Sequence, residues 1–299
     1  MAVRDFFQNY LYGNPSKRDF TEADLPENRI QLFKQVLSTR KGKMFGINLL
    51  YILVWLPAIA WTIINVVQIN RALYLPPAEF WSALPQILFS WLLLLFPLVA
   101  ITGPFNAGFS YVFHRWAQDV HSFILSDFRA ALKENWKQAL LFSTLDGLVP
   151  LLAYTICYFY LGLAGQSLLS IVPLMLTLLA VLIWSLAAPL VPLLIVSYEQ
   201  SFGKLLRNAV FMTLINLPRS IAIRLGTLIL PIFLTFGLFF FPDSINWMIS
   251  VTLLLYVVFM LSFNKLIWAS YSNMLGEKYL NARIEGARTN IGLRPKQGD

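Results

Sequence analysis

Between residues 44 and 264 the chain is a succession of apolar stretches, at 44–67, 84–102, 139–164, 168–196, 221–241 and 245–264, almost free of charge. A bilayer core asks for about 20 apolar residues per helical crossing, and backbone inside it must satisfy its own hydrogen bonds, which long helices do. The expected fold is an all-α, polytopic integral membrane protein with six transmembrane helices. It is flanked by a polar segment at 1–43 and a tail at 265–299, with loops at 103–138 and 197–220. Only 13% of residues are charged against 58% apolar, and the mean hydropathy is +0.64; a soluble domain carries about a quarter charged residues. Residues 1–43 lack a short basic region leading into an apolar run, so a cleaved leader is not expected.

The chain carries 23 Lys and Arg, and all but Arg71 fall in segments that six crossings place on one side. By the positive-inside tendency that side is the cytoplasm, and both termini lie there. The outer connections, around Arg71 and Glu79, at Gly165, and at Pro242 and Asp243, are too short for a folded domain. A net charge of +8 spread along span flanks fits attraction to anionic membrane lipids and not a basic nucleic-acid-binding domain.

Each pair of spans follows an amphipathic segment. Ser126 is the expected N-cap, with Asp127 in the first turn. Phe128, Ala131, Leu132, Asn135 and Trp136 then share one face, and Arg129, Lys133 and Lys137 form a basic stripe four residues apart. Such a helix suits the head-group region or a cytoplasmic partner. Ile30, Phe33 and Leu37 with Lys34, and Phe202, Leu205, Leu206 and Ala209 with Lys204, suggest weaker versions, hence a threefold repeat of surface helix plus hairpin. Trp81, Trp116, Trp136, Trp247 and Trp268 sit near span ends and read as interfacial belts.

Pro57, Pro97, Pro150, Pro189, Pro192 and Pro231 fall inside spans, so broken or kinked helices are expected, above all in the over-long fourth stretch. In transporters such breaks line a solute cavity. Asp146 and Arg224 are the charges set within the apolar stretches. They form either a buried ion pair or a proton, cation or substrate site, unless Arg224 snorkels to the surface.

The chemistry of soluble enzymes is missing. There is no Gly-rich phosphate loop, dinucleotide fingerprint or nucleophile elbow. His114 and His121 alone make a poor metal site, and the single Cys157 closes no internal disulfide. No catalytic, cofactor-binding or metal-ligating residue is assigned, and no enzyme activity is expected.

The stretch Gly103-Pro104-Phe105-Asn106-Ala107-Gly108 with Tyr111, then Ser126-Asp127-Phe128 and Lys133-Glu134-Asn135-Trp136-Lys137-Gln138, resembles the hallmark segment of the YesL family. These are bacterial polytopic membrane proteins without a settled activity. Asn48-Leu49-Leu50 and Asn216-Leu217-Pro218-Arg219 resemble it too. The resemblance implies the bacterial plasma membrane and an accessory, non-catalytic role in carbohydrate uptake. The partners it suggests are subunits of an ABC-type sugar importer or a cytoplasmic regulator. The alternative is a stand-alone small-solute transporter. Gly103, Ala107 and Gly108 permit close helix contact, which allows a homo-oligomer.

Overall fold

The computed structural model describes residues 24–163 and 168–295; residues 1–23, the expected turn at Gly165 and the last four residues lie outside them. All secondary structure among the described residues is helical. The helices are α1 (Arg29–Thr39), α2 (Lys41–Ala72), α3 (Pro77–Ala117), α4 (Ile124–Leu163), α5 (Ile171–Ala187), α6 (Val191–Ser197), α7 (Phe202–Ile215), α8 (Leu217–Thr227), α9 (Ile229–Phe240), α10 (Ile245–Leu255) and α11 (Leu261–Tyr279). Five are long and apolar enough to cross a bilayer: α2, α3, α4, the run Ile171–Ser197 and the run Asn246–Arg283. The pair α8–α9, bent by 60°, is long and apolar enough only when taken together, as a broken span or a re-entrant loop, and makes six with the other five if it spans.

Burial is arranged for an apolar solvent. Large side chains such as Leu53 (64% exposed), Ile63, Leu94 and Leu176 point outward, while Asn48 (0% exposed), Ser110, Ser143, Ser220 and Ser262 are buried. In water an apolar exterior this large would be an aggregation surface; against lipid tails it is the solvated one. The chain is thus an all-α protein of multi-pass membrane character. Its densest packing lies at one end, where Phe109, Phe113, Trp116, Leu193, Leu194, Leu205, Leu266 and Leu275 form the core.

The two chain ends meet at that end of the bundle. Asn28 caps α1 by accepting from the amides of Ile30 and Gln31. Arg29 pairs with Glu277, whose Oε2 also accepts from the Asn290 amide at 3.0 Å. The Arg294 amide donates to the Pro26 carbonyl at 2.9 Å, and its guanidinium reaches Glu27 at 3.1 Å. Arg40 pairs with Asp119 at 2.9 Å in the α3–α4 turn. The first and last described segments therefore lie together at one end of the bundle.

Prolines act unequally. Pro57, Pro97, Pro104 and Pro150 sit in helices that run on unbroken, which a packed membrane helix tolerates because neighbours satisfy the freed carbonyls. At Pro189 the fourth span passes through a 3₁₀ turn, Ala188–Leu190. Pro231 has no N–H for the Thr227 carbonyl one turn back. The helix bends there, and Asn264 Nδ2 donates to the Thr227 oxygen at 3.1 Å. The sixth crossing contains a π turn, Tyr256–Met260, with no proline. Asn48 explains it: its Nδ2 donates to the carbonyls of Tyr256 and Val257, both at 2.7 Å, and its Oδ1 accepts from the Ser262 amide at 3.0 Å.

Several expectations need correction. The Gly103-Pro104 motif does not open a loop; α3 continues to Ala117 and turns at Asp119, whose φ is 53°. Residues 126–137 are not a separate surface helix but the first turns of α4. Ser126 does not cap it: Asp127 Oδ2 accepts from the Phe123 amide at 2.9 Å, while Ser126 only donates to the Phe123 carbonyl. Because α4 is continuous whereas α1 and α7 stand apart, the three units are not equivalent. In α1 the buried residues are Leu32 and Val36, and Ile30 is exposed. Trp116 and Trp268 are core residues, not belts; the Trp116 indole donates to Ser122 Oγ at 2.7 Å under the Arg40 guanidinium. The crossing expected at 245–264 runs on through α11, which takes Lys265 out of the tail.

Candidate functional site

Side chains from every crossing converge on one cavity of about 590 Å³. The second, third and sixth crossings bring Asn106, Asp146 and Lys265, and α8 brings Arg224. The fourth and fifth crossings are broken at its wall, by the Ala188–Leu190 turn and at Leu228. Its walls are otherwise aromatic and apolar, with Tyr51, Trp55, Phe142 and Trp184 prominent; Phe142 and Trp184 stack at 6.0 Å.

Asp146 follows the buried Ser143 by one turn of α4 and receives the Trp184 indole N–H on Oδ1 at 2.8 Å. Lys265 Nζ donates to Asn106 Oδ1 at 2.7 Å, and the Tyr51 hydroxyl lies 3.5 Å from the same oxygen. The Arg224 Nε is buried without a hydrogen-bond partner, as is the Asn264 Oδ1.

Asp146 and Arg224 do come together at this cavity, but not as a contact ion pair. The ion pairs Arg29–Glu277, Arg40–Asp119 and Arg294–Glu27 lie at the bundle end, and Asp146 engages Trp184 instead. Asp146 shares the cavity wall with both Arg224 and Lys265. With its ordinary charges, the site holds one carboxylate against two cations.

Lys265 is the residue that sequence reasoning missed. It follows directly on the last apolar window and was assigned to the tail. The available signal was the run from Leu266 to Gly276, which holds no charged residue: a helix ending at Asn264 would have put that run into water.

The basic stripe lies elsewhere. Arg129, Lys133 and Lys137 are all exposed on the first turns of α4, at the end of the bundle where the termini meet. The Lys137 ammonium stands 5.7 Å from the Trp136 ring, and Gln138 ties this helix to the Gln200 carbonyl at 3.1 Å.

The motif shared by resemblance is mostly packing. A Cβ on Gly103 would run into the Ala139 carbonyl and the Ser143 hydroxyl, and one on Gly108 would come within 2.6 Å of the Phe128 ring. The small residues expected to allow a homo-oligomer thus seat α3 against α4 within the chain. Pro104 and Tyr111 are half-buried in α3. Asn135 Nδ2 donates to the Ala131 carbonyl at 3.0 Å, and Trp136 is exposed. Asn106 is the member of the motif that reaches the cavity.

In comparisons with protein-family models, curated proteins and solved structures, no match was found.

Proposed function

We propose that this chain is a small-solute transporter of the bacterial plasma membrane, with both termini in the cytoplasm, and that the central cavity is its solute site. One observation carries the reading: all the crossings contribute to a cavity that sets a few charged and polar groups in aromatic and apolar walls, and the two broken crossings are broken at its wall. Discontinuous helices around a central site are how many transporters let one part of the bundle rock against another. The cavity volume also falls within the range of roughly 300–1,000 Å³ usual for small-molecule sites. The chain acts without catalysis in this reading.

The test is reconstitution of the protein alone in liposomes. Uptake of a labelled trisaccharide and of membrane-impermeant organic ions of each sign is then measured. Saturable uptake of any one of them above empty liposomes is the expected result; uptake of none rejects the transporter.

The exposed stripe Arg129, Lys133 and Lys137 favours a second reading, an accessory subunit of a carbohydrate importer of the kind the YesL resemblance implies. Under it, a sugar-importer subunit or a cytoplasmic regulator co-purifies in mild detergent from native membranes. The association is lost when the three charges are neutralised together. Recovery of the protein by itself leaves the transporter standing.

A further inference from the structure

The charge balance of the cavity narrows what can occupy it. Lys265 and Arg224 bring two positive charges and Asp146 one negative charge, and one oxygen of Asp146 already accepts from Trp184. Lys265 spends one of its three donors on Asn106 and keeps two. The Arg224 Nε has no hydrogen-bond partner among the described residues. An uncompensated cation inside a bilayer is costly, and a bound anion relieves that cost; a bound cation would add to it. The donors left over likewise call for an acceptor-only group. The flat faces of Trp184, Phe142 and Trp55 suit an apolar, planar body beside it.

We infer that the cavity binds a small organic monoanion with a flat apolar body, its charged group held by Lys265 and Arg224 and opposed by Asp146. This rests on the reading of the cavity as the solute site and names the class of solute. It departs from the proton or cation site that Asp146 suggests when taken alone.

Three probes of one shape separate the possibilities: naphthalenesulfonate as the anion, naphthalenesulfonamide as its neutral counterpart, and naphthylmethyl-trimethylammonium as the cation. Binding to the full chain in lipid nanodiscs is measured by equilibrium dialysis against empty nanodiscs. The sulfonate is expected to bind saturably and at least about tenfold more tightly than either other probe, in line with the strength of charge-assisted hydrogen bonds. Lys265→Met should weaken it by about tenfold or more, and Lys265→Arg should retain it.

Asp146→Asn guards against mere misfolding. Removing the opposing carboxylate should tighten sulfonate binding, a gain that a damaged protein would not give. Preference for the cation or the amide, or binding of none of the probes, overturns the inference. So does looser binding by a folded Asp146→Asn variant.

The two readings fail differently. Sulfonate bound in nanodiscs but no solute carried into liposomes would sink the transporter and leave the anion site. Saturable transport of the cation or the trisaccharide without sulfonate binding would do the reverse.

Discussion

Asn48→Leu is expected to lower the thermal unfolding midpoint of the detergent-solubilised protein on the order of 10 °C. Leucine keeps asparagine's heavy-atom count and branching but is larger, so the loss combines the missing hydrogen bonds with some overpacking. The native amide is wholly buried and makes three of them, two to the carbonyls of Tyr256 and Val257 and one from the Ser262 amide. They join α2 to the π turn of the last crossing and to the first turn of α11 that follows it. A buried polar group left without a partner costs about 1–3 kcal/mol, although side-chain hydrogen bonds between membrane helices average only about 0.6 kcal/mol. Three lost at once bracket the loss at about 2–9 kcal/mol. Asn48→Asp should fare no better, because a carboxylate accepts from Ser262 but sets an oxygen against the two carbonyls. A midpoint equal to that of the wild type would show that the turn is held by other means.

Gly103→Ala should also destabilise, by about 1–3 kcal/mol, the usual cost of overpacking. The added methyl meets the Ala139 backbone carbonyl and Ser143. A side chain could rotate away, but the carbonyl belongs to the α4 ladder and moves only if α3 and α4 separate. Gly46→Ala in α2 is the matched control. A Cβ there meets nothing within 4 Å, so alanine should stabilise by about 0.5–1 kcal/mol through its better helix propensity. Opposite shifts in the two midpoints are the expected outcome, and a destabilised Gly46→Ala or an indifferent Gly103→Ala would contradict the packing described.

Hydropathy identified the long apolar helices because a bilayer imposes one strong rule on them. The ends of the helices were hidden. Gly103-Pro104 has the look of a helix stop in water, yet within a packed bundle the same dipeptide serves contact and the helix runs on to Ala117. Proline marked the bend before Pro231 and the turn at Pro189, but the π turn at Tyr256–Met260 has no local signature, since its cause, Asn48, is remote in sequence. Asp146 and Arg224 were visible as charges among apolar residues. Lys265 was not, because a charge at the edge of an apolar window looks the same whether the helix stops or continues. That Trp184, and not Arg224, meets Asp146 depends on side-chain positions that spacing does not encode.

The clasp between the chain ends has a consequence for the order of assembly. The segment around Pro26, Glu27 and Arg29 is made before any of the crossings, while Glu277, Asn290 and Arg294, which hold it, belong to the end of the last long helix and the stretch beyond it. Until then Leu32 lacks the cover of the Gly292–Leu293 turn. Insertion of the last helix therefore does not finish the bundle: segments on either side of all the crossings must still find each other, and this end is sealed only after translation has passed both.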